Sequence, residues 1–216
     1  MSSKILIIGI SGVTCGGKTT LAYKLNKMFP TSKLISQDDY FLDVDDPRHT
    51  WITELNHINF DILSSLDMEK MENDIRKFTK NKKVPNICNG SNSTFKNITD
   101  INELKHSLSE KLKTNWEILI VEGFSIFNCK ALEKIFHLKY YFTLSKEECF
   151  QRRSQRSYEP PDCPGYFEKC VWPEHTKQLE EVQTEVEGVV YLDGRSNRVL
   201  DEVLVDMARI VGEDEV

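Results

Sequence analysis

The chain has 216 residues, with 28 Lys and Arg against 34 Asp and Glu, for a formal net charge of −6 at pH 7. That balance provides no global basic field for DNA or RNA, so nucleic acid is not expected as a partner. The length suits one α/β domain over residues 1–216 and leaves no room for a second of ordinary size.

The first predicted element is an apolar strand over residues 4–10, too short to span a bilayer and running into Gly and Thr without a signal-type cleavage site. A soluble cytoplasmic protein with no membrane partner is expected. The six cysteines form no C-x-x-C pair, which points to reduced thiols and away from zinc or a redox motif.

After this strand, Gly12, Val13, Thr14, Cys15, Gly16, Gly17, Lys18 and Thr19 fit G-x-x-x-x-G-K-[ST], followed by Thr20 and a helix over Lys18–Met28. The glycines allow backbone N–H groups to surround phosphate oxygens. Lys18 brings a cation to the β/γ bridge, and Thr19 offers a hydroxyl to Mg²⁺. No guanine-reading N-K-x-D is present, and the D-x-x-G at Asp162–Gly165 lies far from an early strand, where it reads as coincidence.

A second strand over Lys33–Ser36 delivers Asp38 and Asp39 to its carboxyl end, the edge where open α/β sheets bind ligands. A carboxylate there can take the proton of an attacking hydroxyl or hold Mg²⁺ through water. Helical spacing follows over residues 67–77, and again where Ile101, Leu104, Leu108 and Leu112 recur. Between these helices, residues 80–99 read as a mobile polar insertion containing sequons at Asn89, Asn92 and Asn97.

Residues 117–121 form a further strand ending at Glu122, the place of a carboxylate facing the metal. Strands over 140–144 and 189–192 complete five, and their alternation with helices predicts a parallel sheet covered on both faces. Ser145 and Glu148 form a capping box opening a helix that carries Arg152, Arg153 and Arg156. On that helix Arg152 and Arg156 share a face and Arg153 points about 100° away, so the three can serve two ligands as a lid over about residues 145–175. An apolar stripe from Val199 to Val211 closes the chain as a core-facing helix.

Several stretches together resemble the nicotinamide riboside kinases, among the uridine kinase-like P-loop enzymes: IIGISGVTCGGKTTLA, ISQDDYF, Phe60-Asp61 with DMEKM, VEGFSIFN, EECFQRRSQRSYEPPDCPGYF with VWP, and VVYLDG. They cover nearly the whole chain apart from the polar insertion. The resemblance implies a P-loop kinase fold with a five-stranded parallel sheet and an Arg-bearing lid. It also implies transfer from ATP to the ribose 5′-hydroxyl of nicotinamide riboside, with nicotinic acid riboside as a further acceptor.

By resemblance, Asp38 is the general base, with Lys18 and Arg152 also catalytic, and Thr19, Asp38 and Glu122 surround Mg²⁺. Asp61 and Arg152 grip the ribose, while Arg153 and Arg156 attend the ATP phosphates. Asp39, Tyr40, Phe41, Phe60, Tyr158 and Glu159 complete the nucleoside pocket. Two positions depart from the familiar pattern: Phe60 stands where Tyr is frequent, and Glu159 where a neutral Gln is familiar. Nicotinamide riboside carries a pyridinium cation, which the faces of Phe41 and Phe60 can attract. Another nucleoside, such as uridine or cytidine, and a non-catalytic ATP-binding switch are the competing readings. Oligomeric state is not encoded in any of these motifs.

Overall fold

A computed structural model describes residues 3–83 and 101–213. Among these, the chain runs β1 (Lys4–Gly12), α1 (Lys18–Met28), β2 (Lys33–Ser36), β3 (Trp51–Ile52), β4 (His57–Ile58), α2 (Met68–Thr79) and α3 (Ile101–Asn115). It continues through β5 (Trp116–Glu122), α4 (Lys130–Glu133), β6 (Leu138–Thr143), α5 (Lys146–Arg153), α6 (Trp172–Glu185), β7 (Val189–Asp193) and α7 (Val199–Glu213). Five strands pair in the order β2-β5-β1-β6-β7, all parallel.

The central strand β1 shows why the sheet takes this form. Its alternate side chains serve opposite faces, and both faces are dry. Leu6, Ile8 and Ile10 join Leu21 and Leu25 of α1, Leu104 and Leu108 of α3, and Val203 and Met207 of α7. Ile5 and Ile7 join Met71 and Ile75 of α2, Leu132 of α4 and Val182 of α6. Burying each such Leu or Ile contributes about 1.5–3 kcal/mol, which favours the five-strand register over slipped alternatives.

A third cluster links Val13 of the phosphate loop with Cys149, Tyr166, Phe167, Cys170 and Val171. It anchors the segment after α5 beside the carboxyl edge of the sheet. There Ser36, Glu122 and Ile10 lie in register across β2, β5 and β1.

The expected insertion at 80–99 lies outside the described residues except for 80–83, as do the three sequons and Cys88. Lys83 exchanges backbone bonds with Ser3 and Ile5 at the start of β1. The β3–β4 hairpin and a π-helical turn over Phe167–Val171 leading into α6 were not anticipated from periodicity. At α5, Ser145 Oγ accepts the Glu148 amide at 3.3 Å, but the Glu148 carboxylate turns to Arg152 at 2.7 Å. Only half of the expected capping box therefore forms. No described helix is long and apolar enough to cross a membrane.

Candidate active site

The phosphate loop follows from backbone geometry. Gly12 leaves β1 at φ +120°, and a Cβ there would stand 2.3 Å from the Phe142 carbonyl oxygen, so no side chain fits. Cys15 and Gly17 are also left-handed, at φ 59° and 111°, the backbone condition for turning successive N–H groups toward one concavity. The loop opens into α1, whose first turn contains no acid to compete for the positive end of the helix dipole. Lys18 lies buried and donates to the carbonyls of Gly12 (3.0 Å) and Val13 (2.9 Å). Burial lowers its pKa, while the carboxylates of Glu122 and Asp38 oppose that shift.

Glu122, only 2% exposed at the end of β5, accepts hydrogen bonds from Thr19 Oγ1 (3.1 Å) and Ser36 Oγ. Burial raises its pKa, and the Ser36 bond and the charge of Lys18 pull it back. Asp38 sits on the 3₁₀ turn after β2, exposed and lining the same cavity. The turn is fixed from below by Gln37, fully buried, whose Oε1 accepts the Ser125 amide (3.1 Å) and whose Nε2 donates to Ser125 Oγ (3.2 Å). Gly123 makes that packing possible, since a Cβ there would come within 2.4 Å of Gln37.

The oxygen donors of Thr19, Glu122 and Asp38 suit a hard cation such as Mg²⁺. Among the described residues no set of three or more His, Cys, Asp or Glu side chains is arranged to hold a metal.

From the phosphate loop one cavity of about 400 Å³ extends to an aromatic end. Phe41 lies nearly parallel to Phe124, with ring centroids 6.2 Å apart, and edge-on to Phe60 at 6.0 Å. Asp61 also lines this cavity. Its Oδ2 accepts from Tyr166 Oη (3.1 Å), its amide donates to Asn59 (3.0 Å), and its carbonyl accepts from Gln178 (2.6 Å). Burial pushes the Asp61 carboxyl up, while the Arg153 charge and the Tyr166 bond pull it down. Arg153 makes a two-pronged ion pair with Asp162 (2.7 and 2.9 Å), bonds Thr14 Oγ1 (3.2 Å) and stacks 4.3 Å over the Tyr158 ring. Burial works against that charge, yet the bonds to Asp162 and the field of Asp61 raise the Arg153 pKa overall.

Most expected site residues line this cavity: Thr14 through Thr20, Asp38, Phe41, Phe60, Asp61, Glu122, Arg153, Arg156, Tyr158 and Glu159. Gly12 and Val13 stand behind the wall and act through the carbonyls that hold Lys18.

Three other expected site residues do not line the cavity. Asp39 is exposed and outside the lining. Tyr40 is buried against the α2 side of the core, its hydroxyl donating to Asp74 (3.2 Å). Arg152 lies outside the cavity, donating to the carbonyls of Cys15 (3.3 Å) and Gly194 (3.1 Å), where it braces the back of the phosphate loop. Arg153, not Arg152, is therefore the guanidinium beside Asp61. Asp162, dismissed in sequence as a chance match, holds it there. Phe124, His57 and Tyr166 also line the cavity without having been singled out. Phe124 and Tyr166 lie in two of the stretches that carry the family resemblance, VEGFSIFN and EECFQRRSQRSYEPPDCPGYF, while His57 lies in none of them.

Comparison with known proteins places the chain among kinases of small nucleosides. A family model described as an AAA domain matches residues 8–173. Nicotinamide riboside kinase 1 of Homo sapiens is 37% identical over 95% of this chain and 96% of its own length. Nicotinamide riboside kinase 2 of Homo sapiens is 35% identical over 94% of this chain and 80% of its own. A uridine kinase of Borreliella burgdorferi is 30% identical over 69% of this chain and 66% of its own. At 37% and 35% identity over nearly the whole of its length to these two kinases, the chain belongs to the nicotinamide riboside kinase family.

Proposed function

We propose that this enzyme transfers the γ-phosphoryl group of ATP to the ribose 5′-hydroxyl of nicotinamide riboside, giving nicotinamide mononucleotide, with nicotinic acid riboside as a second acceptor. The observation that carries it is the continuity of one cavity from the Lys18–Glu122–Asp38 cluster to the aromatic end at Phe41, Phe60 and Phe124.

In this scheme the loop amides and Lys18 bind the ATP phosphates and face the charge that grows on the transferring oxygens. Mg²⁺, when bound, neutralises further charge on the β- and γ-phosphates. Thr19 and Glu122 would hold it, with Asp38 beside them. Asp38 accepts the proton of the 5′-hydroxyl as the O–P bond forms. Asp61 and Arg153 hold the ribose hydroxyls, and Tyr166 fixes the Asp61 carboxylate. Arg156 supplies a second cation to the phosphates. Segment 145–175 acts as the lid.

Uridine is the competing acceptor, and its base edge needs hydrogen-bonding partners. The aromatic end offers Phe41, Phe60, Phe124, Leu42 and Val44, while the ring nitrogens of His57 face the carbonyls of Ile58 (2.8 Å) and Pro161 (3.2 Å). A flat cation fits such walls better than a pyrimidine edge. A mere nucleotide switch has no use for the acceptor-side pair of Asp61 and Arg153.

Two expected results follow from the aromatic walls and the arginines. A neutral riboside of the same shape should bind about 0.5–2 kcal/mol more weakly than nicotinamide riboside. Phe41→Leu should shrink that gap in calorimetric Kd values, and equal losses for both ligands would reduce Phe41 to packing. Arg153→Ala removes charged hydrogen bonds and should raise the riboside KM at least about tenfold with a smaller change for ATP. Arg152→Ala should act on the ATP side instead, by loosening the phosphate loop. Steady-state KM values for both substrates distinguish the two, and the reverse pattern would restore Arg152 as the ribose ligand.

A further inference from the structure

Five carboxylates line the cavity: Asp38, Asp61, Glu122, Glu159 and Asp162. Four have evident work. Asp61 accepts from Tyr166, Glu122 from Thr19 and Ser36, and Asp162 from Arg153, while Asp38 lies in the field of Lys18. Among the described residues, Glu159 has neither a side-chain hydrogen bond nor an ion pair.

The flanking residues locate it. Tyr158 Oη lies 3.7 Å from Cys15 Sγ in the phosphate loop. Three residues further on, the Pro161 carbonyl lies 3.2 Å from His57 Nε2, and the His57 ring is 5.9 Å from that of Phe60. The stretch 158–161 therefore crosses from the phosphate loop to the aromatic end with Glu159 on the cavity side. The lining cations have partners other than Glu159: Arg153, stacked over Tyr158, is paired with Asp162, and Arg156 acts on Lys18 at the phosphate end.

We propose that Glu159 is a specificity-determining residue, whose carboxylate favours a pyridinium ring bearing a neutral substituent over one bearing an anionic carboxylate. This rests on the nicotinamide riboside assignment above. Nicotinamide riboside and nicotinic acid riboside share the ribose and the ring cation and differ only in carboxamide against carboxylate. An uncommitted anion near the ring attracts the first and repels the added charge of the second. For one exposed charge the preference in kcat/KM amounts to about two- to fivefold.

The test compares kcat/KM for the two ribosides in the full chain and in Glu159→Gln, Glu159→Lys and Glu159→Asp. The ratio of amide to acid should fall about two- to fivefold in Glu159→Gln, fall again in Glu159→Lys, and persist in Glu159→Asp. In the unaltered enzyme it should narrow as salt is raised, because exposed charges are screened. An enzyme active on both ribosides whose ratio is the same with Glu, Gln and Lys at position 159 overturns the proposal alone. An enzyme that phosphorylates neither riboside overturns the substrate assignment and this proposal with it.

Discussion

Lys18→Ala is expected to lower kcat/KM by about 10²–10³-fold, the range for removing one preorganised group aimed at developing transition-state charge. The Lys18 side chain is held by the Gly12 and Val13 carbonyls, so its ammonium is placed before any ligand arrives and loses little freedom on binding. Its burial makes the loss harder to replace, because solvent cannot readily supply an equivalent cation. The variant also leaves the buried Glu122 without its compensating charge, which should weaken the Thr19–Glu122 arrangement as well. Initial rates with saturating riboside, beside a thermal melt to check folding, measure this directly. Near-normal turnover in a folded Lys18→Ala enzyme would remove the loop from the chemistry.

Asp38→Asn should reduce kcat by about 10²-fold or more, since the amide keeps the shape and loses the proton acceptor. ATP affinity should change far less, because the nucleotide is gripped mainly by the loop amides and Lys18. Calorimetry with ATP alongside kcat separates those effects. Asp39→Asn is the matched control: its side chain lies outside the cavity, and the rate should stay within about twofold. Unaltered turnover in Asp38→Asn would disqualify Asp38 as the base.

The elements that were legible in sequence are those whose pattern is local. A parallel strand buried on both faces is an unbroken apolar run, so residues 4–10, 33–36 and 117–121 lie within observed strands, and α1 has its expected bounds. The β3–β4 hairpin has two residues in each strand, too few for alternation to register, and is held by pairing Trp51 with Ile58 and Ile52 with His57.

The site divides in the same way. Gly12 to Thr19, Asp38 and Glu122 follow from chain-local turns at strand ends. Arg152 and Arg153 show the limit: helix geometry separates them by about 100°, but which one meets the cavity depends on how α5 is rotated against the phosphate loop. That rotation comes from the packing of Cys149, Phe167 and Val171 around Val13, contacts between residues far apart in sequence. Tyr40 and Phe41 differ likewise, one turned into the core and the other into the cavity. Tyr166 and Asp162 gain their roles only through the fold, by meeting Asp61 and Arg153.

The most direct measurement is ADP release by the full chain with Mg²⁺ and ATP in the presence of nicotinamide riboside, of uridine, or of no acceptor, with the product identified by mass. ADP should form in step with nicotinamide mononucleotide, with kcat/KM for nicotinamide riboside well above that for uridine and little release without acceptor. Faster phosphorylation of uridine, or ATP binding with no acceptor-dependent ADP, would contradict it.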